Sequence, residues 1–163
     1  MTRPHVEPLR GDEDAAQCAA LMVASEPWLT LGVSMATARA VVTDARKEAY
    51  VARDDGRVTG FVIIDMRGLL AGYIQTLCVR ADRRREGIGS ELIRFAETRI
   101  FRDSPNVFIC VSSFNHDARR LYERLGFEVV GTLREFVVPG HDELLLRKTR
   151  SPWSQFRRDD SDT

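Results

Sequence analysis

No stretch of this 163-residue sequence is apolar for long enough to span a bilayer; the longest apolar runs, such as Phe61-Val62-Ile63-Ile64, have strand length. An excess of one charge is missing too. Lys and Arg together number 24, as do Asp and Glu, so the basic surplus usual for a nucleic-acid binder is absent and no nucleic-acid or membrane partner is expected. Met1 to Leu9 carries charge and proline without an apolar run, so no signal peptide is expected. Cysteine is scarce: Cys18, Cys78 and Cys110 are odd in number and far apart. That pattern fits free thiols in a reducing compartment and predicts a cytoplasmic protein. His5, His116 and His141 lack metal-ligand spacing, so no metal is expected. What remains is an apolar fraction of 44%, enough to build one globular core in a chain of this length.

The punctuation of the chain predicts its elements. His5 to Leu9 reads as a first strand, and Gly11-Asp12-Glu13-Asp14 opens a helix with acidic residues at its N-terminal end. Ser25-Glu26-Pro27-Trp28 breaks that helix, and a second covers Ser34 to Arg46. The period then changes. Ala49–Arg53, Arg57–Met66 and Leu70–Val79 are β-rich runs separated by Asp54-Asp55-Gly56 and Arg67-Gly68. Gly87–Phe101 is helical, with Ile88, Leu92, Phe95, Ala96 and Ile100 on one stripe. Asn106–Val111 reads as a central strand, and Asn115–Leu125 as a short helix ended by Gly126. Phe127–Val138 and Glu143–Lys148 form a final hairpin around Pro139-Gly140-His141-Asp142. The order β-α-α-β-β-β-α-β-α-β-β implies an α/β fold with a mixed sheet. One domain is expected over residues 1–149, with a polar tail over 150–163 expected to fray.

One segment carries a chemical signal. From Leu77-Cys78-Val79 the chain runs through Arg80-Ala81-Asp82-Arg83-Arg84-Arg85-Glu86 into Gly87-Ile88-Gly89-Ser90. A strand thus passes through an arginine-rich turn into a helix opened by two glycines. Helix N-termini present unpaired N–H groups and partial positive charge, and so suit phosphate. Gly87 and Gly89 remove side chains where a pyrophosphate would approach the backbone, and Arg83, Arg84 and Arg85 add charged donors. The dinucleotide fingerprint is incomplete, because Leu92 stands where it needs a third glycine. A Walker A loop is absent as well. By itself a Gly-x-Gly is equally compatible with a tight turn beside a solvated basic face.

Arg84-Arg85-Glu86-Gly87-Ile88-Gly89 resembles the pyrophosphate loop of the GCN5-related N-acetyltransferases (GNAT family). Asn115-His116-Asp117-Ala118-Arg119-Arg120-Leu121-Tyr122-Glu123-Arg124-Leu125-Gly126-Phe127 resembles the same family's Asn-x-x-Ala-x-x-x-Tyr-x-x-x-Gly-Phe helix. The resemblance covers about Tyr50 to Lys148. It implies a single-domain GNAT fold in which the strand through Leu77, Cys78 and Val79 splays from the strand through Val107–Val111. It further implies acetyl-CoA as donor cosubstrate, an amine acceptor, and often a homodimer. The pantetheine arm would pair with Leu77 and Val79. The N–H groups from Arg84 to Ser90, through Arg85, Glu86, Gly87, Ile88 and Gly89, would hold the pyrophosphate. A strand N–H at Leu77 or Cys78 would face the thioester carbonyl. Asn115 would contact pantetheine, and Tyr122 would donate a proton to the departing thiolate.

Departures from the pattern matter. Relatives often have glycine at Arg85, a basic or amide residue at Glu86 and proline at Ala81. An acid at Glu86 repels a pyrophosphate unless it points away. Relatives with a carboxylate base carry it near Tyr73 or Gln75, and neither is a carboxylate here. The base must come from elsewhere, or the amine arrives neutral. Each residue also has a plainer reading: Tyr122 as packing, Asn115 as a helix cap, Cys78 and Cys110 as buried thiols. Glu26 and Trp28 lie where the family places acceptor-binding elements, and a turn anchor is the alternative there. Asp142 and Glu143 resemble the acidic pair of protein N-terminal acetylases, although a hairpin tip is commonly acidic for solubility alone. The expected activity is acetyl transfer to a primary amine by direct attack. A protein N-terminal or lysine acetyltransferase and a non-catalytic acyl-CoA sensor are the alternatives.

Overall fold

The computed structural model describes residues 4–158. In chain order it contains β1 (His5–Pro8), α1 (Gly11–Val23), α2 (Met35–Val42), β2 (Glu48–Asp54), β3 (Arg57–Asp65), β4 (Tyr73–Val79), α3 (Ile88–Ile100), β5 (Asn106–Ser112), α4 (His116–Arg124), β6 (Glu128–Val138) and β7 (His141–Thr149). The strands form one mixed sheet in the order β1-β2-β3-β4-β5-β7-β6. The element order is the one the sequence predicts. No helix among the described residues is long and apolar enough to cross a membrane. The chain divides into two compact units. The first runs to Ile64 and takes in Thr76–Phe95, and the second holds Asp65–Gln75 and the residues from Ala96 onward.

In the first unit, Ala15, Cys18, Ala19 and Met22 recur at helical spacing along α1 and pack on Ala38 and Val42 of α2 and on Val51, Phe61 and Ile63 of the sheet. The β2–β3 hairpin turns on Asp55 and Gly56 with φ of 48° and 75°. Positive φ at both central residues matches the right-handed twist of the flanking strands. Gly60 permits close packing: a Cβ there would lie 2.8 Å from the Cys78 carbonyl oxygen and 3.0 Å from Leu92 Cδ1. Arg53 binds Glu7 at 2.6 Å and also Asp14, tying β2 to β1 and to α1. The second helix is shorter than Ser34–Arg46. Ser34 caps it by accepting from the Thr37 N–H. It stops at Val42 because Asp44 holds the backbone and guanidinium of Arg46 in a local turn.

In the second unit, β5 pairs antiparallel with β7 along its full length, and β7 with β6. The parallel β4–β5 ladder comprises Tyr73↔Phe108 and Ile74↔Ile109. β4 starts at Tyr73, not Leu70, because Gly72 sits at φ 95° and turns its N–H to the Asp65 carbonyl. A Cβ on Gly72 would come within 2.5 Å of the Asn106 carbonyl oxygen, so only glycine fits. β7 begins at His141, which leaves Pro139-Gly140 as the hairpin tip. In the tail, the Arg150 guanidinium stacks 4.0 Å from the Phe101 ring centroid, and Trp153 packs edge-on to Phe156. Residues 159–163 of the expected tail lie outside the described residues.

Candidate active site

The arginine-rich turn leaves β4 with Thr76 and Cys78 buried and Leu77 and Val79 half-buried on the opposite side. Arg80 N–H donates to the Thr59 carbonyl and a short 3₁₀ turn follows. Arg85 then adopts φ 65° and Gly87 φ 84°. Two left-handed residues two positions from each other swing the chain into α3, whose first bond runs from the Glu91 N–H to the Gly87 carbonyl. The N–H groups of Ile88, Gly89 and Ser90 therefore belong to the first turn and lack intrahelical acceptors. A Cβ on Gly87 would meet no protein atom within 4 Å, so glycine is needed there for its φ rather than for space.

Charges around the turn are sorted. Arg83 binds Asp54 at 2.8 Å and Glu86 at 2.7 Å. The acid that would repel a phosphate is thereby held by a neighbouring guanidinium, and Arg83 is spent on that task. Arg84 and Arg85 form no ion pair among the described residues, and both are exposed. This donor set fits a pyrophosphate: three N–H groups of a helix end and two guanidinium groups.

In the second unit, the Asn115 side chain caps α4 by accepting from the Ala118 N–H at 3.3 Å. Its amide protons remain to serve a ligand. Helix α4 ends with Gly126 at φ 93°. Gly126 N–H reaches the Glu123 carbonyl and Phe127 N–H the Tyr122 carbonyl, the two bonds of a Schellman motif. This turn brings the Phe127 ring to 6.2 Å from that of Tyr122. Tyr122 itself is 5% exposed. The Gly-Phe ending of the motif is thus what buries the tyrosine.

A second group of side chains gathers around Tyr73, and sequence reading missed it. Tyr73 on β4 hydrogen-bonds Cys110 on β5 and feels the charges of Glu143 and Tyr122. Burial, with these neighbours, raises the Tyr73 hydroxyl well above the usual tyrosine range. Glu143 is not a solubilising tip residue. It lies within β7 opposite Ser112, is 5% exposed, and accepts from Ser112 Oγ at 2.5 Å. Burial raises its carboxyl above the ordinary range, and the Ser112 bond opposes that only in part. The register places it there: Ser113 N–H bonds the Asp142 carbonyl, which carries the ladder one pair past Glu143. Asp142 instead accepts from the Glu135 N–H at the exposed end of the hairpin.

Both carboxylate oxygens of Glu26 accept from Thr30, and Trp28 packs on the core of the first unit. Burial pushes the Cys78 thiol up to about 11, despite a hydrogen bond to Ser25 and the nearby Arg84 charge. Cys18 goes to about 12 and Cys110 upward, again through burial. These thiols are protonated near neutrality and are weak nucleophiles.

The sequence model of the acetyltransferase (GNAT) family matches residues 15–127. An uncharacterized N-acetyltransferase of Methanocaldococcus jannaschii is 33% identical over 103 residues, 62% of this chain and 65% of that one. Matches to curated relatives cover 27% to 66% of the relatives' own lengths. Among solved structures, an aminoglycoside 6'-N-acetyltransferase complexed with coenzyme A superposes with TM-score 0.73 at 17% identity, over 91% of this chain and 98% of that one. A chain of the NatC complex, bound to Gag peptide and CoA, superposes with TM-score 0.74 at 22% identity, over 92% of this chain and all of that one.

Proposed function

This chain belongs to the acetyltransferase (GNAT) family, and from that premise we propose that it transfers an acetyl group from acetyl-CoA to a primary amine by direct attack. The observation that carries the reading is the turn into α3, where Arg84 and Arg85 stand beside the first N–H groups of the helix while Glu86 is tied to Arg83. Arg84, Arg85 and the N–H groups from Glu86 to Ser90 would hold the pyrophosphate. The backbone of Leu77 and Val79 would pair with the pantetheine arm, and Asn115 would donate its amide protons to it. Acetyl-CoA, when bound, supplies an acyl group activated toward amines. An N–H at Leu77 or Cys78 would stabilise the developing oxyanion. Tyr122 would give its proton to the departing thiolate. The protonated state of Cys78 and Cys110 supports direct attack over an acetyl-cysteine route.

The acceptor divides the similar structures, since one acts on an aminoglycoside and another binds a peptide. Incubating the protein with acetyl-CoA and a library of small amines and peptides, and reading thiol release, tests the reading. Amine-dependent release establishes the transferase and identifies its acceptor. Tight CoA binding with no release for any amine would make the chain an acyl-CoA sensor instead.

A further inference from the structure

The proposed transfer lacks a proton acceptor on β4, where Tyr73 and Gln75 stand. An ammonium does not attack a thioester until it has lost a proton, so some group must take it. The second unit brings one carboxylate to the neighbourhood of Tyr73 from a different strand. Tyr73 pairs with Phe108, and Phe108, Cys110 and Ser112 share one face of β5 by strand alternation. Glu143 of β7 lies directly opposite Ser112 and accepts its hydroxyl proton at 2.5 Å. Its charge acts on both Tyr73 and Cys110, and Tyr73 in turn feels Tyr122. The group next to the tyrosine assigned as acid is therefore within electrostatic reach of a carboxylate.

That carboxylate is unusual in having no counterion. Among the described residues no Lys, Arg or His pairs with Glu143, although it is 5% exposed. A buried carboxylate without a cation is costly, and a structural hydrogen bond to Ser112 does not require one, because a glutamine oxygen accepts equally well. A cation arriving from outside would meet the deficit. We propose that Glu143 receives the acceptor amine as its ammonium and takes the proton that frees the nitrogen lone pair. The inference rests on the acetyltransferase reading above and adds to it a substrate class, amines that are cationic at neutral pH.

The step balances. The ammonium gives one proton to the Glu143 carboxylate, which later returns it to water. The neutral nitrogen forms the C–N bond as the C–S bond breaks. The second nitrogen proton replaces the one Tyr122 gives to the thiolate, so the products are the amide, the free thiol and one released proton. The groups facing Glu143 tune it in two directions. Ser112 favours the charged form, whereas burial disfavours it, and Tyr73 and Cys110 face it as neutral side chains. The net upward displacement brings the acceptor nearer the pH at which it works.

The test is Glu143→Gln, which keeps the shape and the Ser112 hydrogen bond. Its fold is checked by circular dichroism and its CoA affinity by calorimetry, both expected unchanged. With the alkylamine that the wild type uses best, kcat/KM should fall about 10²-fold at pH 7. With a hydrazide of the same skeleton, neutral at pH 7, the variant should stay within a few-fold of wild type. Ser112→Ala should move the acid limb of the wild-type kcat/KM profile to higher pH, because it removes the bond that stabilises the carboxylate. Equal losses for the alkylamine and the hydrazide, or no loss for either, overturn the proposal. A wild-type protein that releases no thiol with any amine overturns the transferase reading itself. That failure is seen before any variant is made.

Discussion

Tyr122 and Glu143 are both buried polar residues, but their surroundings give them opposite tasks. Tyr122 is held by the cap at Gly126 and by the Phe127 ring, contacts that a phenylalanine at this position keeps. Tyr122→Phe is expected to lower kcat by about 10²-fold while leaving the melting temperature and CoA affinity unchanged. A variant with wild-type turnover on the true amine would leave Tyr122 as a packing residue. Glu143 carries a stability cost that can be measured separately from activity. Its folded-state carboxyl is displaced upward, so its contribution to stability is present below the ordinary carboxylate range and is lost as pH rises through the displaced value. Glu143→Gln should therefore raise the melting temperature at neutral pH and change it little at pH 3. Calorimetric scans at the two pH values check the sign.

At the level of elements, the turn from β4 into α3 combines a conformational cost with a binding task. Arg85 is held at φ 65° where relatives often have glycine, and a left-handed non-glycine residue costs about 1–2 kcal/mol. Such cost persists where the surrounding structure imposes it, here through Arg80 bound to Asp82 within the turn and Arg83 bound to Asp54 at the end of β2. Gly89→Asp would add a negative charge to the first turn of α3. Loss of CoA binding in calorimetry, with the far-ultraviolet spectrum retained, is the expected result; unchanged affinity in a folded protein would remove the loop from the site. Arg84→Ala should weaken binding less, because backbone groups supply most of the donors.

For the whole molecule, acid stability depends on the ion pairs of Asp14 and Glu7 with Arg53. Burial pushes the Asp14 carboxyl up, but Arg53 and the Arg10 N–H outweigh it, and the net displacement is downward. Its stabilisation is fully present above the ordinary carboxylate pKa and is lost as pH falls through the lowered folded value. Asp14→Asn is expected to lower stability by about 1.5–3 kcal/mol at neutral pH, the usual worth of hydrogen bonds to a charged group. The deficit should shrink toward pH 2, and urea titrations at several pH values measure it. An unchanged acid limb would show that Glu7 alone holds Arg53.

The sequence by itself determined the order of elements, the turn into α3 and the capped helix carrying Asn115 and Tyr122. These depend on residues close in the chain: Gly87 for its φ, Asn115 for its cap, Gly126 for its left-handed end. Local conformational rules act over a few residues, so a linear reading finds them. The ends of α2 and the start of β4 were less legible, because Asp44 and Gly72 act through hydrogen bonds that compete with the periodic pattern. The fate of Glu143 was decided only by tertiary structure, and that of Glu86 in part. Glu86 depends on an arginine that also reaches Asp54, 29 residues from it in sequence. Glu143 depends on a strand register that sets it opposite Ser112, 31 residues away. Whether a carboxylate is a solvated charge or a buried one is a property of what surrounds it, and those neighbours come together only when the sheet forms.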